Sequence, residues 1–193
     1  EQVVVVAVDD ISIQSLGRWP WSRKRHAELI DRLTDMGARS VGIDILFSEY
    51  QKDEPQADRL LAQSLTNNGH VVLPVAPTRL SPSDPISDLL PIPELAVAAR
   101  AMGHVDVELD IDGACRRFFL YAGISNAQWP AFALSMLQVG GDISETAFDH
   151  ELTSNNHTGW LRQHRMFVPY VNKTQPKVIS YIDIINGRIL KSD

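Results

Sequence analysis

Two apolar runs set the limits on this fold. Val3 to Val8 ends in Asp9-Asp10, and Val41 to Phe47 carries Asp44 inside it, with a helix-length segment between them. Runs this short and this rich in β-branched residues predict strands buried on both faces, because such strands have no solvated side to mark with polar alternation. Strand, helix and strand in that order predict two parallel strands joined by a right-handed crossover. The stretch from Val3 to Phe47 then forms the nucleus of an α/β sheet.

The connecting segment reads Leu16-Gly17-Arg18-Trp19-Pro20-Trp21-Ser22-Arg23 and runs into a helix over Arg23 to Met36. Ala27, Leu29, Ile30, Leu33 and Met36 recur at helical spacing, Ser22 can cap the helix start, and Gly37 can end it in the left-handed conformation. Arg18, Arg23, Lys24 and Arg25 crowd the helix start, where the macrodipole favours acids. Side chains leaving the carboxyl ends of parallel strands lie near the starts of the following helices, so pairing with Asp9, Asp10 or Asp44 is expected. A structural ion-pair cluster over Trp19 and Trp21 is the commoner outcome for such a pattern, and an anion pocket is the functional alternative.

Further along, Pro55 opens a second amphipathic helix with Ala57, Leu60, Leu61, Ser64 and Leu65 inward, and Gly69 closes it. Val71 to Val75 predicts a third buried strand. Pro74, Pro77, Pro82, Pro85, Pro91 and Pro93 argue against ladder or helix, so residues 76–92 are expected to be a long surface loop, either a lid or recognition element or a plain connector. Glu94 to Met102 predicts a helix stopped by Gly103. His104 to Leu109, a turn at Asp110-Ile111-Asp112-Gly113, and Cys115 to Tyr121 predict a hairpin. Trp129-Pro130 precedes a helix over Ala131 to Val139. Arg165 to Val171 and Val178 to Tyr181 suggest two more strands, with Ile182 to Ile185 a brief helix. The resulting fold class is α/β, a layered sheet with parallel core strands flanked by helices plus an antiparallel hairpin, in a single domain over residues 1–193.

Charge and cysteine use narrow the function. A net charge of −6 argues against a nucleic-acid surface, whose main affinity comes from basic side chains on phosphates. The single cysteine, Cys115, permits no internal disulfide. No apolar run reaches the length that spans a bilayer. A start at Glu1-Gln2, directly against a core strand, suggests a piece of something longer. The Asp-x-Asp-Gly string is too short for a calcium loop, the histidines show no H-E-x-x-H spacing, and no G-x-S-x-G elbow is present. No metal or cofactor is expected.

In their order, several motifs resemble the CHASE family of the second type, the cyclase- and histidine-kinase-associated sensory extracellular domains. They are Val5-Ala7-Val8-Asp9-Asp10-Ser12-Leu16-Gly17-Arg18-Trp19-Pro20-Trp21-Arg23, Gly37-Ala38, Gly42-Ile43-Asp44-Leu46-Phe47-Ser48, Gly103-His104-Val105, Asp110, Asp112-Gly113 with Arg116, and Trp129-Pro130. The resemblance implies a sensor input module outside the cytoplasmic membrane of a bacterium, tied by flanking transmembrane helices to a cytoplasmic cyclase, diguanylate cyclase or kinase. Where the family usually shows Asn two residues after the Gly-His pair, this chain has Asp106. The family also tends to continue with a further apolar strand and membrane spans, which fits a cut-out piece.

Three functions compete at this point. A sensor of an unknown small-molecule or protein signal, homodimeric in its receptor, would bind in a crevice lined by Asp9, Asp10, Ser12, Arg18, Arg23 and Asp44. Trp19 and Trp21 would lie beneath, and Arg116 joins the candidates through its motif. A metal-dependent phosphotransfer or hydrolase domain using the strand-tip aspartates is the enzymatic alternative. Against it, Asp9 and Asp10 are adjacent and would point to opposite faces of a strand. A docking domain would show a broad apolar patch, around Trp160 or the late strands.

Overall fold

A computed structural model describes residues 3–79, 81, 83–144, 146, 148, 159–170 and 175–189. In chain order the elements begin β1 (Val4–Ala7), α1 (Asp10–Leu16), α2 (Arg23–Met36), β2 (Val41–Gly42), α3 (Gln56–Asn68), β3 (Val71–Thr78), β4 (Ser87–Leu89) and α4 (Pro93–Ala98). They continue with β5 (Ala101–His104), β6 (Arg117–Ile124), β7 (Trp129–Pro130), α5 (Phe132–Val139), β8 (Trp160–Phe167), β9 (Lys177–Ser180) and α6 (Tyr181–Ile185). The fold is mixed α/β, with parallel sheets flanked by helices and an antiparallel three-stranded sheet. The chain divides into two compact units, residues 1–38, 51–68 and 170–193 in one and residues 39–50 and 69–169 in the other.

In the first unit β1 pairs in parallel with β9, from Val4 opposite Lys177 to Ala7 opposite Ser180. The pairing expected between the first two apolar runs is therefore replaced, since β1 takes β9 and β2 takes β3. Nor is β1 buried on both faces, because Val3, Val4, Val5 and Val8 are exposed while Val6 packs on the core. A continuous β-branched run carries no mark of how many of its faces are covered. That core joins Trp21, Leu29, Ile179, Tyr181, Ile182, Ile184 and Ile185, with Leu16, Trp19, Leu33 and Met36 against it. The helix α2 has the bounds its pattern predicts, with Ser22 Oγ accepting from the Lys24 N–H and Gly37 at φ 81°.

In the second unit β3 is the central parallel strand, between β2 and β5. Val71, Val72, Leu73 and Val75 are fully buried there, so the both-faces-covered strand is this one. The proline-rich stretch departs from expectation: β3 continues to Thr78, and β4 pairs back on it with Ala76 opposite Leu89 and Thr78 opposite Ser87. Proline removes one donor but keeps its carbonyl, which a strand can use where the missing N–H is not called on. The expected helix over Glu94 to Met102 ends at Ala98, and Gly103 lies in β5. A Cβ on Gly103 would stand 2.6 Å from the Phe132 Cα, so this glycine lets α5 close on the strand.

The long hairpin over His104 to Tyr121 also shortens. Its turn is present, closed by the Asp110 N–H on the Ala114 carbonyl at 2.9 Å with Gly113 at φ 78°. Only one bridge, Glu108 to Arg117, joins its two arms among the described residues. Strand β6 instead pairs antiparallel with β7 and β8. The expected strand over Arg165 to Val171 lies within and beyond β8, and Val171 is outside the described residues.

Candidate functional site

The candidate residues of the first unit form three linked groups. Asp9 does not meet an arginine. It caps α1, where its Oδ1 accepts from the Ser12 N–H at 2.9 Å, the Ser12 hydroxyl at 2.6 Å and the Ser180 hydroxyl at 2.9 Å. The Ser12 Oγ, fully buried, also accepts from the Ile182 N–H at 3.1 Å. These hydroxyl and amide donors, Ser12 first, hold the Asp9 carboxyl below the usual carboxylate range. One carboxylate thus fastens the first helix to the start of the last.

The second group is aromatic. Trp21 is buried, meets Tyr181 at 4.8 Å and Trp19 at 5.2 Å between ring centroids, and donates its indole N–H to the Gly17 carbonyl at 2.8 Å. Half-buried Trp19 lies edge-on to His26, whose Nδ1 is 3.2 Å from the Tyr181 hydroxyl. Burial, with Arg23 nearby, pushes the His26 pKa down to about 4, and burial raises that of Tyr181.

The neutral state of His26 has a measurable consequence. An unfolded histidine titrates near 6.5, so below that pH the unfolded chain binds a proton that the folded one refuses down to about 4. The contribution of neutral His26 is full above that window and falls as the pH drops through it, by about 1.4 kcal/mol per pH unit. Urea unfolding at pH 7, 6 and 5 should show this slope in the native sequence and a shallower one in His26→Leu, where buried His104 keeps its own share. An equal slope in both would place the acid sensitivity elsewhere.

The third group answers the crowding of cations at the start of α2. Arg23 Nε is 2.7 Å from Asp58 Oδ1, in ion-pair contact although the N–H direction lies outside hydrogen-bond geometry. Asp58 is almost wholly buried, and its Oδ2 accepts from the Gln51 N–H at 2.9 Å, while the Gln51 side chain accepts from the Arg23 N–H at 2.8 Å. Lys24 pairs with Glu54 at 3.0 Å and Arg25 with Glu28 at 3.5 Å. The acids that offset these cations come from α2, α3 and the segment before α3, in place of Asp9, Asp10 and Asp44. Asp10 and Arg18 are exposed, and neither side chain makes a hydrogen bond or ion pair among the described residues. Between α2 and α3 an open groove is lined by Lys24, Glu28, Asp31, Arg32, Gln63 and Asn67.

The second unit holds Asp44 and Arg116. Asp44 is exposed and without a side-chain partner among the described residues. Arg116 bonds Asp110 at 2.9 Å and Asp112 at 2.7 Å, and Arg117 also bonds Asp110, so the carboxylates of this turn are taken by guanidinium groups. Asp106, which the motif reading singled out, accepts from Arg162 Nε at 2.6 Å, Arg162 Nη2 at 2.9 Å and the Trp160 indole at 2.8 Å. Burial would raise its pKa, but the bonds from Arg162 and Trp160 overcome that and hold it low. A carboxylate accepts this bidentate guanidinium with both oxygens, which an amide cannot do. Trp160 is spent on this contact. His104 Nε2 donates to the Phe119 carbonyl, 3.1 Å away, and burial lowers its pKa.

Sequence reasoning missed Asp58, Ser180, Tyr181 and the clasp on Asp106. Asp58 had a signal, since 58, 61 and 65 share one face of α3 and an acid stands in an otherwise apolar stripe. Among the described residues no group of three or more His, Cys, Asp or Glu side chains is placed to hold a metal ion, and His150 and His157 lie outside them. No helix of the described residues is long and apolar enough to cross a membrane. The family model for the CHASE2 domain matches residues 1–193, the whole chain. The searches of curated proteins and of solved structures found no match.

Proposed function

Because the chain belongs to the CHASE2 domain family, the sensory extracellular domains of cyclase- and kinase-associated receptors, we propose that it is the signal-sensing input of a bacterial membrane receptor. In this reading the whole of residues 1–193 acts as one sensor domain on the periplasmic or outer face. It regulates a cytoplasmic cyclase, diguanylate cyclase or kinase, and it works as a homodimer anchored by membrane helices. The observation that carries the reading is the family match over the full chain. The Asp9 knot supports a sensor role for the first unit, because it ties Ser12 of α1 to Ser180 at the end of β9, 168 positions apart, in one body within that unit. The sequence-predicted residues Asp9, Ser12, Trp19, Trp21 and Arg23 then serve to hold that body in shape. Asp10, Arg18, Asp44 and Arg116 remain candidates for contact with the signal.

Topology and output test this separately. In the full-length protein carrying Cys115→Ser and Ile111→Cys, at a fully exposed position, a membrane-impermeant maleimide should label intact cells with a permeabilised outer membrane. Labelling only after lysis overturns the placement. Deleting the domain should change the output of the attached enzyme, and an unchanged output overturns the input role.

A further inference from the structure

We infer that the open groove between α2 and α3 binds a small organic diammonium, two ammonium groups joined by a methylene chain. This gives the sensor reading a signal class, and the site's role as an input rests on that reading. The groove measures about 460 Å³, a size in the range of ligand pockets, and both of its walls belong to the first unit.

The α2 wall carries acids where a helix disfavours them. Asp31 and Asp35 stand one turn apart on it, and like charges at this spacing repel each other. Asp35 also lies in the last turn, where the macrodipole favours cations and α2 has no base. Neither carboxylate makes a hydrogen bond or ion pair among the described residues, and Arg32 lines the groove without pairing to either. The neighbouring charges are spent, Glu28 on Arg25 at 3.5 Å and Lys24 on Glu54 at 3.0 Å. At about 1.5 Å of rise per residue, the two unpaired acids are set about 6 Å apart along the helix axis.

The facing wall gives an independent sign. Ser64 lines the groove from α3, is only 6% exposed, and makes no side-chain hydrogen bond among the described residues. Buried polar groups nearly always find a partner. The helical hydroxyls of Thr34 and Thr66 bond back to the Ile30 and Ala62 carbonyls at 2.7 and 2.9 Å. Ser64 makes no such bond to its own helix, so its oxygen keeps its acceptor capacity for an occupant of the groove.

Carboxylates and a hydroxyl oxygen suit ammonium groups, which carry three donors and no acceptor. Two carboxylates a turn apart call for two of them, and Ala27 and Leu60 in the lining offer apolar contact to the methylenes between. Among the described residues no group of three or more His, Cys, Asp or Glu side chains is placed to hold a metal ion, which favours an organic cation. A free diamine and a basic amino acid share this chemistry, and the carboxylate of the second would find its fork in Arg32.

Calorimetric and proton–nitrogen NMR titrations of this chain at fixed ionic strength test the site. The probes are putrescine, cadaverine and L-lysine, with n-pentylamine and magnesium chloride as controls. At least one probe should bind saturably and shift the Ser64 and Asn67 amide resonances, at concentrations about tenfold or more below either control. Asp31→Asn combined with Asp35→Asn should weaken that binding about tenfold or more, and Ser64→Ala should weaken it several-fold, with resonances outside α2 and α3 in place. Tighter binding of lysine, lost in Arg32→Gln, supports an amino acid as the source. Tighter binding of a diamine, strengthened in Arg32→Gln, supports a free diamine. The proposal falls if no probe shifts those resonances, if pentylamine or magnesium acts as strongly, or if the double variant binds unchanged. In each of these cases the groove is an ordinary solvated helix surface. The labelling and deletion results of the sensor reading stand whichever way the titrations go, so the two fail separately.

Discussion

Asp58→Ala should lower the stability of the first unit by about 3–5 kcal/mol, the cost typical of breaking a buried ion pair from one side. Its partner Arg23 is itself largely buried, at 16% side-chain exposure, so the guanidinium would lose its carboxylate without gaining water. The Gln51 N–H would lose its acceptor as well. Whole domains are stable by only about 5–15 kcal/mol, so the variant should unfold at a clearly lower urea concentration or fail to accumulate. The pair can be separated from mere loss of volume by a second change. Arg23→Met combined with Asp58→Ala should cost less than the sum of the two single changes, because the ion pair between them is then lost only once. Strict additivity, or a loss under about 1 kcal/mol for Asp58→Ala, would mean that this contact is a solvated surface pair.

Trp21→Ala should be comparably damaging, at about 3–5 kcal/mol, the range for deleting a large buried aromatic. Trp21 is 7% exposed and stands between Trp19 and Tyr181 in the core that joins α2, β9 and α6. Its removal leaves a void whose lining loses contacts on one side. Trp21→Phe keeps much of the packing but forfeits the bond to the Gly17 carbonyl, and should cost nearer 1 kcal/mol beyond its lost volume. Equilibrium unfolding followed by circular dichroism checks both. Equal losses in the two variants would assign the energy to the hydrogen bond, against the packing argument.

The regions of this fold that were legible in the sequence are those whose signals are local. The helix α2 carries its own cap at Ser22, its own stripe and its own stop at Gly37, so its bounds could be read without knowing any neighbour. Ladder partners carry no such label. Val4 to Ala7 could be read as a strand, but nothing in those residues points to Lys177 to Ser180. Gly103 shows the same limit in another form, since a glycine after a helical pattern reads as a stop, whereas here it admits the backbone of α5. Among the candidate residues, the crowding of cations before α2 correctly demanded carboxylates. Which carboxylates supplied them depended on α3 packing beside α2, a tertiary fact that sequence spacing does not encode.

The parallel run of β1 beside β9 bears on how this body would respond to being pulled. When the amino end of the earlier strand and the carboxyl end of the later one are drawn away from each other along their common axis, the two slide past each other, and every bond between them resists at once. Under a sideways pull, the same bonds would break in succession. A stretch along the strands would therefore be shared between the ladder and the Asp9 knot at its end, and the sheet would act as a stiff strut that yields abruptly, with little give beforehand.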